Sequence, residues 1–301
     1  MTFFDFGEII DNNTIFVIFG IPWDYLTSIE LPNSAIAPEE IRKSTIILAL
    51  TTELGDYIPE LDAVDLGDID IVETDINLNI KSIEEFIAKM YEIKNDIIPI
   101  MIGGDHFCSF PVIKAVEEQF QSKQNFGILI FDSHLDFYEE WDKGIFSHAT
   151  ITHRVFDLEN INKNNLLIVG TRDIDIPELE NVQNAGLTHI NAYLLGDIGL
   201  DKYIEKIIQF FRKSNITYLY VSIDIDALDP SIAPGTGFAI PGGFTYREMW
   251  IILRKIAENF QVIGFDLVEV APNLDLDNNL TLNVAAKLIV EFMSFINRNM
   301  K

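Results

Sequence analysis

Short apolar runs rich in β-branched residues recur along the chain, and segments with helical periodicity separate them. Such runs are typical of strands that are covered on both faces of a sheet. We predict strands at runs that include residues 15–19, 97–102, 128–131, 166–169, 216–221 and 261–265. Amphipathic patterns between the runs predict helices that include residues 83–95, 111–120, 202–212, 246–260 and 282–297.

The alternation of strands and helices predicts the fold class. Parallel strands need crossover connections, which are right-handed and place helices on both faces of the sheet. We therefore expect a three-layer α/β/α protein with a mainly parallel central sheet. Because the 301 residues contain no low-complexity or linker-like stretch, we expect one domain that spans residues 1–301.

Polar clusters follow three of the predicted strands. The sequence GGDH follows the strand at 97–102, DSHLD follows the strand at 128–131, and DIDALDP follows the strand that begins at residue 216. Ligands of such sheets bind just beyond the carboxyl ends of the strands. We therefore expect the three clusters to form one site at that edge of the sheet.

The charge of the chain is strongly negative. It carries 47 Asp and Glu against 21 Lys and Arg, which gives a formal net charge of −26. Such a surface repels phosphate backbones and anionic lipids, so we expect neither nucleic acid nor a membrane as a partner. The same field attracts small cations, including metal ions and polyamine-like molecules.

No targeting signal is evident in the sequence. Residues 1–12 lack the basic region and the apolar core of a signal peptide, and no segment approaches the roughly 18 continuous apolar residues of a membrane span. We therefore expect a soluble protein of the cytoplasm. Cys108 is the single cysteine, which excludes intrachain disulfides and a Cys-based zinc site, and we interpret it as a small buried residue and not as a nucleophile.

The three clusters contain six side chains of metal-ligand type. They are His106, Asp132, His134, Asp136, Asp224 and Asp226. On an extended strand end, residues at i, i+2 and i+4 project from one face, so the DSHLD cluster would direct three of them to one point. Four carboxylates in one cleft are costly unless cations neutralise them.

This ligand set indicates a pair of Mn²⁺ ions. It is too large for one tetrahedral zinc and contains no thiolate, whereas carboxylates with some imidazole are typical of manganese. Two ions about 3.5–4 Å apart can lower the pKa of a shared water enough to give hydroxide near neutral pH. A DxD pair alone also occurs in surface turns and single-Mg²⁺ sites, but its recurrence beside two His residues favours two metals.

The motifs resemble the signature blocks of the arginase/agmatinase, or ureohydrolase, family. GGDH, DSHLD and SIDIDALDP resemble its three metal-binding blocks, and GIPWD, APEEIR, DLGD and FDLVEVAP resemble further blocks from the amino terminus to residue 272. The resemblance covers essentially the whole chain. It implies an arginase-like fold and assembly as a homo-oligomer, a trimer or a hexamer.

The resemblance also implies roles for the metal ligands. His106 and Asp136 would bind one manganese, and His134 and Asp226 the other. Asp132 and Asp224 would bridge the two ions. Asp136 would in addition accept a hydrogen bond from the bridging hydroxide.

Two further residues match catalytic positions of the family. His148, with His153 as a competing candidate, matches the histidine that shuttles protons and protonates the leaving amine. Glu269 matches the carboxylate that receives the guanidinium, for which a bidentate pair is a suitable geometry. The resemblance thus implies hydrolysis of a guanidino compound to urea and an amine.

The substrate is predicted from the loop at residues 137–147. Arginases read the amino-acid end of arginine with an Asn- and Ser-rich loop at this place, whereas this loop has no Asn and one Ser and is acidic and aromatic. We therefore expect agmatine, which would give putrescine for polyamine biosynthesis. Ser133, Ala149 and residues 33–38 depart from the family pattern and leave arginine, guanidinobutyrate, formiminoglutamate and aminopropyl-agmatine as alternatives.

Two other classes of function fit the motifs less well. A catalytically silent oligomeric binding protein usually loses some of its metal ligands, and all six are present here. A two-metal phosphoesterase usually adds Arg, Lys or a Gly-rich anion site near the metals, and these motifs contain no clustered base. The ureohydrolase interpretation is therefore preferred.

Overall fold

A parallel sheet forms the centre of the protein in the computed structural model, which describes residues 1–24, 33–72, 75–120, 125–142 and 144–300. Within those ranges the sheet has eight strands, in the order β2-β1-β3-β8-β7-β4-β5-β6, and every pairing between them is parallel. The strands are β1 (Phe16–Ile21), β2 (Ala63–Asp68), β3 (Ile98–Gly103), β4 (Phe126–Phe131), β5 (Leu166–Thr171), β6 (Thr188–Asn191), β7 (Tyr218–Asp224) and β8 (Gln261–Val268).

Helices cover both faces of this sheet. They are α1 (Ala37–Ser44), α2 (Ile76–Ile93), α3 (Ser109–Phe120), α4 (Ile151–Phe156), α5 (Ile176–Ala185), α6 (Tyr193–Ile198), α7 (Leu200–Lys213), α8 (Tyr246–Asn259) and α9 (Leu280–Met300). Buried side chains of α1, α7, α8 and α9 pack on one face, and those of α2, α3, α4 and α5 pack on the other. The predicted three-layer α/β/α class is therefore confirmed.

The burial of the strands explains their apolar sequences. Every residue of β1, β3, β4 and β5 is buried, because the side chains that alternate between the two faces meet a helix layer on either side. All the strands that the apolar runs predict are present, with small shifts of their ends. The edge strands β2 and β6 were not predicted, since only part of their residues are buried.

The predicted helices are also present. Helix α2 begins at Ile76 and not at residue 83, because the Asp75 side chain accepts a hydrogen bond from the Leu78 N–H and caps the earlier start. Helix α9 is apolar and long enough to cross a membrane. However, 83% of its apolar 18-residue stretch is buried within the protein, as in a core helix. The short helices α1, α4, α5 and α6 were not predicted.

Cys108 is a buried residue, as its sequence context predicts. Its sulfur lies 3.4 Å from the carbonyl oxygen of Trp23, and burial raises the pKa of the thiol well above its usual value. A thiolate nucleophile is therefore disfavoured at this position.

A buried ion pair attaches α1 to the edge of the sheet. The Arg42 guanidinium is buried and donates to both carboxylate oxygens of Asp65, at 2.7 and 3.0 Å, and also to Asp68. Asp65 further accepts the backbone N–H of Phe3 at 2.7 Å. One guanidinium thus connects α1, β2 and, through Asp65, the first residues of the chain.

Replacing Arg42 by Met should lower the free energy of unfolding by about 3–5 kcal/mol, because Asp65 would stay buried without its counter-ion. The measurement is the urea dependence of unfolding. Lys43→Met is the matched control, since Lys43 pairs with Glu39 and Glu40 on the surface and such pairs contribute about 1 kcal/mol or less. Equal losses in the two variants would contradict the role given to the buried pair.

Candidate metal centre and active site

Four adjacent strands of the sheet, in the order β3-β8-β7-β4, deliver the candidate site. His106 follows β3, Glu269 follows β8, Asp224 ends β7, and Asp132 follows β4. Because parallel strands end at one edge of a sheet, these side chains meet there. The polar clusters therefore converge at the edge of the sheet where the sequence placed them.

The six predicted ligands lie in two groups that share one residue. From the Nδ1 atom of His106, the nearest oxygens of Asp132, Asp136 and Asp224 are 3.0, 3.2 and 3.3 Å away. From the Nδ1 atom of His134, the nearest oxygens of Asp226 and Asp132 are 3.1 and 3.4 Å away. Asp132 contacts both histidines through its two oxygens, as a bridging ligand would.

The chemistry of these atoms fits a pair of metal ions. Two trios, His106 with Asp132 and Asp224, and Asp132 with His134 and Asp226, each offer ligand atoms within 4.8 Å of one another. His106 Nδ1 and Asp132 Oδ2 are buried and, although 3.0 Å apart, they form no well-aligned hydrogen bond with each other or with another described residue. A cation would compensate both buried atoms, and carboxylates with imidazole suit Mn²⁺. The individual ligand roles stay a prediction.

A buried hydrogen-bonded chain orients His106. The Ser222 hydroxyl donates to Asp266 at 2.6 Å, and the Tyr220 hydroxyl donates to the other oxygen of Asp266 at 2.7 Å. Since the Ser222 proton is engaged, its oxygen accepts from His106 Nε2, 3.1 Å away. Nδ1 is then the ring nitrogen of His106 that faces the carboxylates, as metal ligation through this atom requires.

The local geometry of the ligands differs from the extended arrangement that the i, i+2, i+4 spacing predicted. Strand β4 ends at Phe131, and Asp136 has a φ of 48°, in the left-handed region. Asp226 lies in a 3₁₀ turn and donates its N–H to the Asp224 carboxylate at 2.8 Å. The side chains converge through these turns, so the convergence was predicted correctly and its extended geometry was wrong.

Glu269 occupies a strained turn at the end of β8. Its φ is 63°, an unfavourable value for a residue with a side chain. Its N–H donates to the Gly104 carbonyl at 2.8 Å, and its carboxylate accepts the His106 N–H at 2.7 Å. Burial, reinforced by Asp105, raises the pKa of the carboxyl well above its usual value, so a bound cation would favour its charged form.

A pocket of about 400 Å³ opens above these groups. Glu269, His148 and Ala149 are among its lining residues. His153 is not among them, because its ring packs on Phe137 with the centroids 4.8 Å apart. The structure therefore favours His148 over His153 as the histidine that faces a substrate.

The sequence analysis missed three acidic residues of the pocket. Asp173, Asp175 and Glu178 line it from the segment after β5. Glu178 is buried, accepts the Phe137 N–H at 3.0 Å, and has its pKa raised to about 8 by burial and by Asp136. The signal that could have found this segment is the DID sequence at 173–175, which repeats the acidic i, i+2 spacing after a predicted strand.

Arg172, beside this acidic segment, does not face the pocket. Its guanidinium donates to the carbonyl oxygens of Asp226 at 2.6 Å and of Ile240 at 2.8 Å. The side chain therefore holds the turn that presents Asp226. The described residues that line the pocket include no Lys and no Arg.

Comparisons with known proteins agree with this geometry. The arginase-family model matches residues 14–294. An agmatinase of Bacillus cereus is 32% identical over 92% of this chain and 90% of its own, and the mitochondrial arginase of Medicago truncatula is 31% identical over 91% and 80%. The crystal structure of formimidoylglutamase from Bacillus subtilis aligns with a TM-score of 0.87 and 26% identity over 98% of this chain and 92% of that chain. The chain belongs to the arginase family of binuclear metal-dependent hydrolases.

Proposed function

We propose that the protein is a manganese-dependent agmatinase that hydrolyses agmatine to putrescine and urea. The observation that carries the proposal is the charge of the pocket. Carboxylates of the ligand groups and of the segment at 173–178 line it, and its described lining contains no Lys or Arg. Agmatine carries a guanidinium at one end and an ammonium at the other. Arginine, guanidinobutyrate and formiminoglutamate each carry a carboxylate, which this lining would repel.

The aromatic and acidic part of the pocket lining is suited to an ammonium group. The Tyr138 hydroxyl donates to Asp175 at 2.7 Å. The ring centroids of Tyr138 and Trp141 lie 4.6 Å apart. Aromatic faces beside carboxylates attract organic cations. Tyr138 and Trp141 belong to the loop at 137–147 on which the sequence prediction rested, of which residue 143 lies outside the described residues.

The reaction divides among the residues of the pocket. Bound at the six ligands, two Mn²⁺ ions would supply the activation of water. The Glu269 carboxylate would pair with the guanidinium and direct the guanidinium carbon toward the metal ligands. His148 would give a proton to the leaving nitrogen as the C–N bond breaks, so that water and agmatine yield urea and putrescine. Homo-oligomeric assembly and a cytoplasmic location stay predictions from the sequence.

The substrate preference is tested by urea release with Mn²⁺ present. Agmatine should exceed arginine in kcat/KM by at least about a hundredfold, which corresponds to roughly 2.7 kcal/mol of discrimination against the carboxylate. Guanidinobutyrate, formiminoglutamate and aminopropyl-agmatine complete the panel, with formamide release measured for formiminoglutamate. Equal rates with agmatine and arginine would refute the agmatinase assignment and leave the family unaffected.

Asp224→Asn should remove most metal binding and activity, because a neutral amide would replace a carboxylate that lies 3.3 Å from His106 Nδ1. The measurement is the manganese content after dialysis, together with urea release. Asp197→Asn, an exposed residue of α6, is the control with the same change of charge. A fully metal-loaded Asp224→Asn protein would contradict the ligand role.

Glu269→Gln should keep the metal content and lower kcat/KM by about 10²–10⁴-fold, or roughly 3–5 kcal/mol. Glutamine can still accept the His106 N–H, but it cannot form a charge-assisted bidentate pair with the guanidinium. Manganese content, thermal midpoint and urea release are measured on one preparation. An active but destabilised variant would assign Glu269 a structural role instead.

A further inference from the structure

The short segment that carries His148 is hydrogen-bonded to itself. The Ser147 N–H donates to the Thr150 hydroxyl at 3.0 Å, and the Thr150 N–H donates to the Ser147 carbonyl oxygen at 2.9 Å. The Ala149 N–H donates to the Ser147 hydroxyl at 3.3 Å. These hydrogen bonds join residues of one segment, so they fix its shape without fixing its position in the protein.

Other contacts attach this segment to the rest of the protein. On the carboxyl side of His148, the Thr152 N–H donates to the Asp136 carbonyl oxygen at 3.1 Å. On the amino side, Ile145 is exposed, whereas Phe146 is partly buried and packs against the core. The apolar side chain that attaches the amino side of the segment is therefore Phe146.

Phe146 packs into a group of aromatic rings. Its ring centroid lies 5.5 Å from that of Phe107 and 6.3 Å from that of Phe110, and the Phe107 ring also contacts the ring of Trp23 at 5.8 Å. Aromatic pairs at such separations attract each other beyond the effect of burial alone. Because Phe107 is buried and directly follows His106, the Phe146 ring connects the histidine segment to the turn that carries a metal ligand.

The position of His148 decides whether it can act as an acid. A general acid must come within about 2.6–3.2 Å of the atom that it protonates. His148 is among the residues that line the pocket, and Phe146 is not. Loss of the Phe146 ring would let the segment shift as a unit, since its internal hydrogen bonds would persist. The ring would therefore affect the reaction through His148 and not through contact with a substrate.

We propose that Phe146 is a positioning residue of the reaction, whose packing on Phe107 and Phe110 holds His148 at the place from which it protonates the leaving nitrogen. The inference rests on the proposed role of His148, and it does not depend on which guanidino compound is hydrolysed. A ring that served stability alone would lower the melting temperature and leave the proton transfer unchanged.

The test is a double-mutant cycle of Phe146→Ala and His148→Ala in the Mn²⁺-loaded protein, with the substrate of the panel that is hydrolysed fastest. Phe146→Ala should lower kcat by about tenfold, a part of the roughly 10²–10⁴-fold contribution of a general acid, and leave KM and manganese content unchanged. In the His148→Ala background it should lower kcat no further, because the group that it positions is absent. Phe146→Tyr, which keeps the ring, should retain the wild-type kcat.

Phe86→Ala is the matched control, because Phe86 is also a partly buried ring that packs on another ring, that of Phe19, with the centroids 5.4 Å apart. It should lower the thermal midpoint and leave kcat at the wild-type value. Amide hydrogen exchange, followed by mass spectrometry, should become faster at residues 144–149 in Phe146→Ala and stay unchanged there in Phe86→Ala. This measurement reports the position of the segment without relying on activity.

Three outcomes would overturn the proposal. They are a wild-type kcat in Phe146→Ala, equal losses of kcat from Phe146→Ala in the presence and absence of His148, and wild-type activity in His148→Ala. A cycle that behaves as expected with a substrate other than agmatine would support the role of Phe146 and refute the agmatinase assignment alone.

Discussion

Repulsion among four buried carboxylates is the constraint on which the active end of this protein depends. Asp132, Asp136, Asp224 and Asp226 are all buried around two imidazoles. Burial and the neighbouring Asp132 raise the pKa of Asp136 to about 7, and burial with Asp226 raises the pKa of Asp224 well above its usual value. The raised pKa values show that the charged forms of these carboxylates are unfavourable when no cation is close. Divalent cations would therefore both stabilise the site and provide its chemistry.

The sheet makes this concentration of charge possible. Strands β8, β7 and β4 are consecutive in the sheet and are buried after the first residues of β7 and β8, so the sheet holds their ends together against the repulsion. The left-handed residues Asp136 and Glu269 lie at those ends, where the rigid scaffold can sustain the strain. The interior also supplies the polar partners of the ligands, since the chain from Tyr220 through Asp266 and Ser222 reaches His106 from within the sheet.

The sequence predicted the parts of this arrangement that show a periodic or local pattern, and it missed the parts that do not. The central strands were recognised because burial on both faces makes them uniformly apolar, whereas β2 and β6 lie at the edges and carry polar residues. The metal ligands were recognised because three clusters end three strands. The left-handed turn at Asp136 and the placement of Glu178 depend on tertiary contacts, such as the hydrogen bond from the Phe137 N–H to Glu178, which no local sequence pattern shows.

The pocket also contains two kinds of residue: those that could bind the guanidinium of any substrate, and those that could distinguish one substrate from another. A guanidinium is common to agmatine and arginine, so contacts to that group alone cannot distinguish the two. The other end of a substrate would have to be distinguished elsewhere in the pocket, whose lining includes Tyr138 and Trp141 with Asp175 and Glu178. Among the described residues, the lining offers no Lys or Arg to pair with a substrate carboxylate, whereas its carboxylates could pair with an ammonium. A preference for agmatine over arginine would then arise from an unfavourable interaction with the carboxylate as much as from attraction of the ammonium.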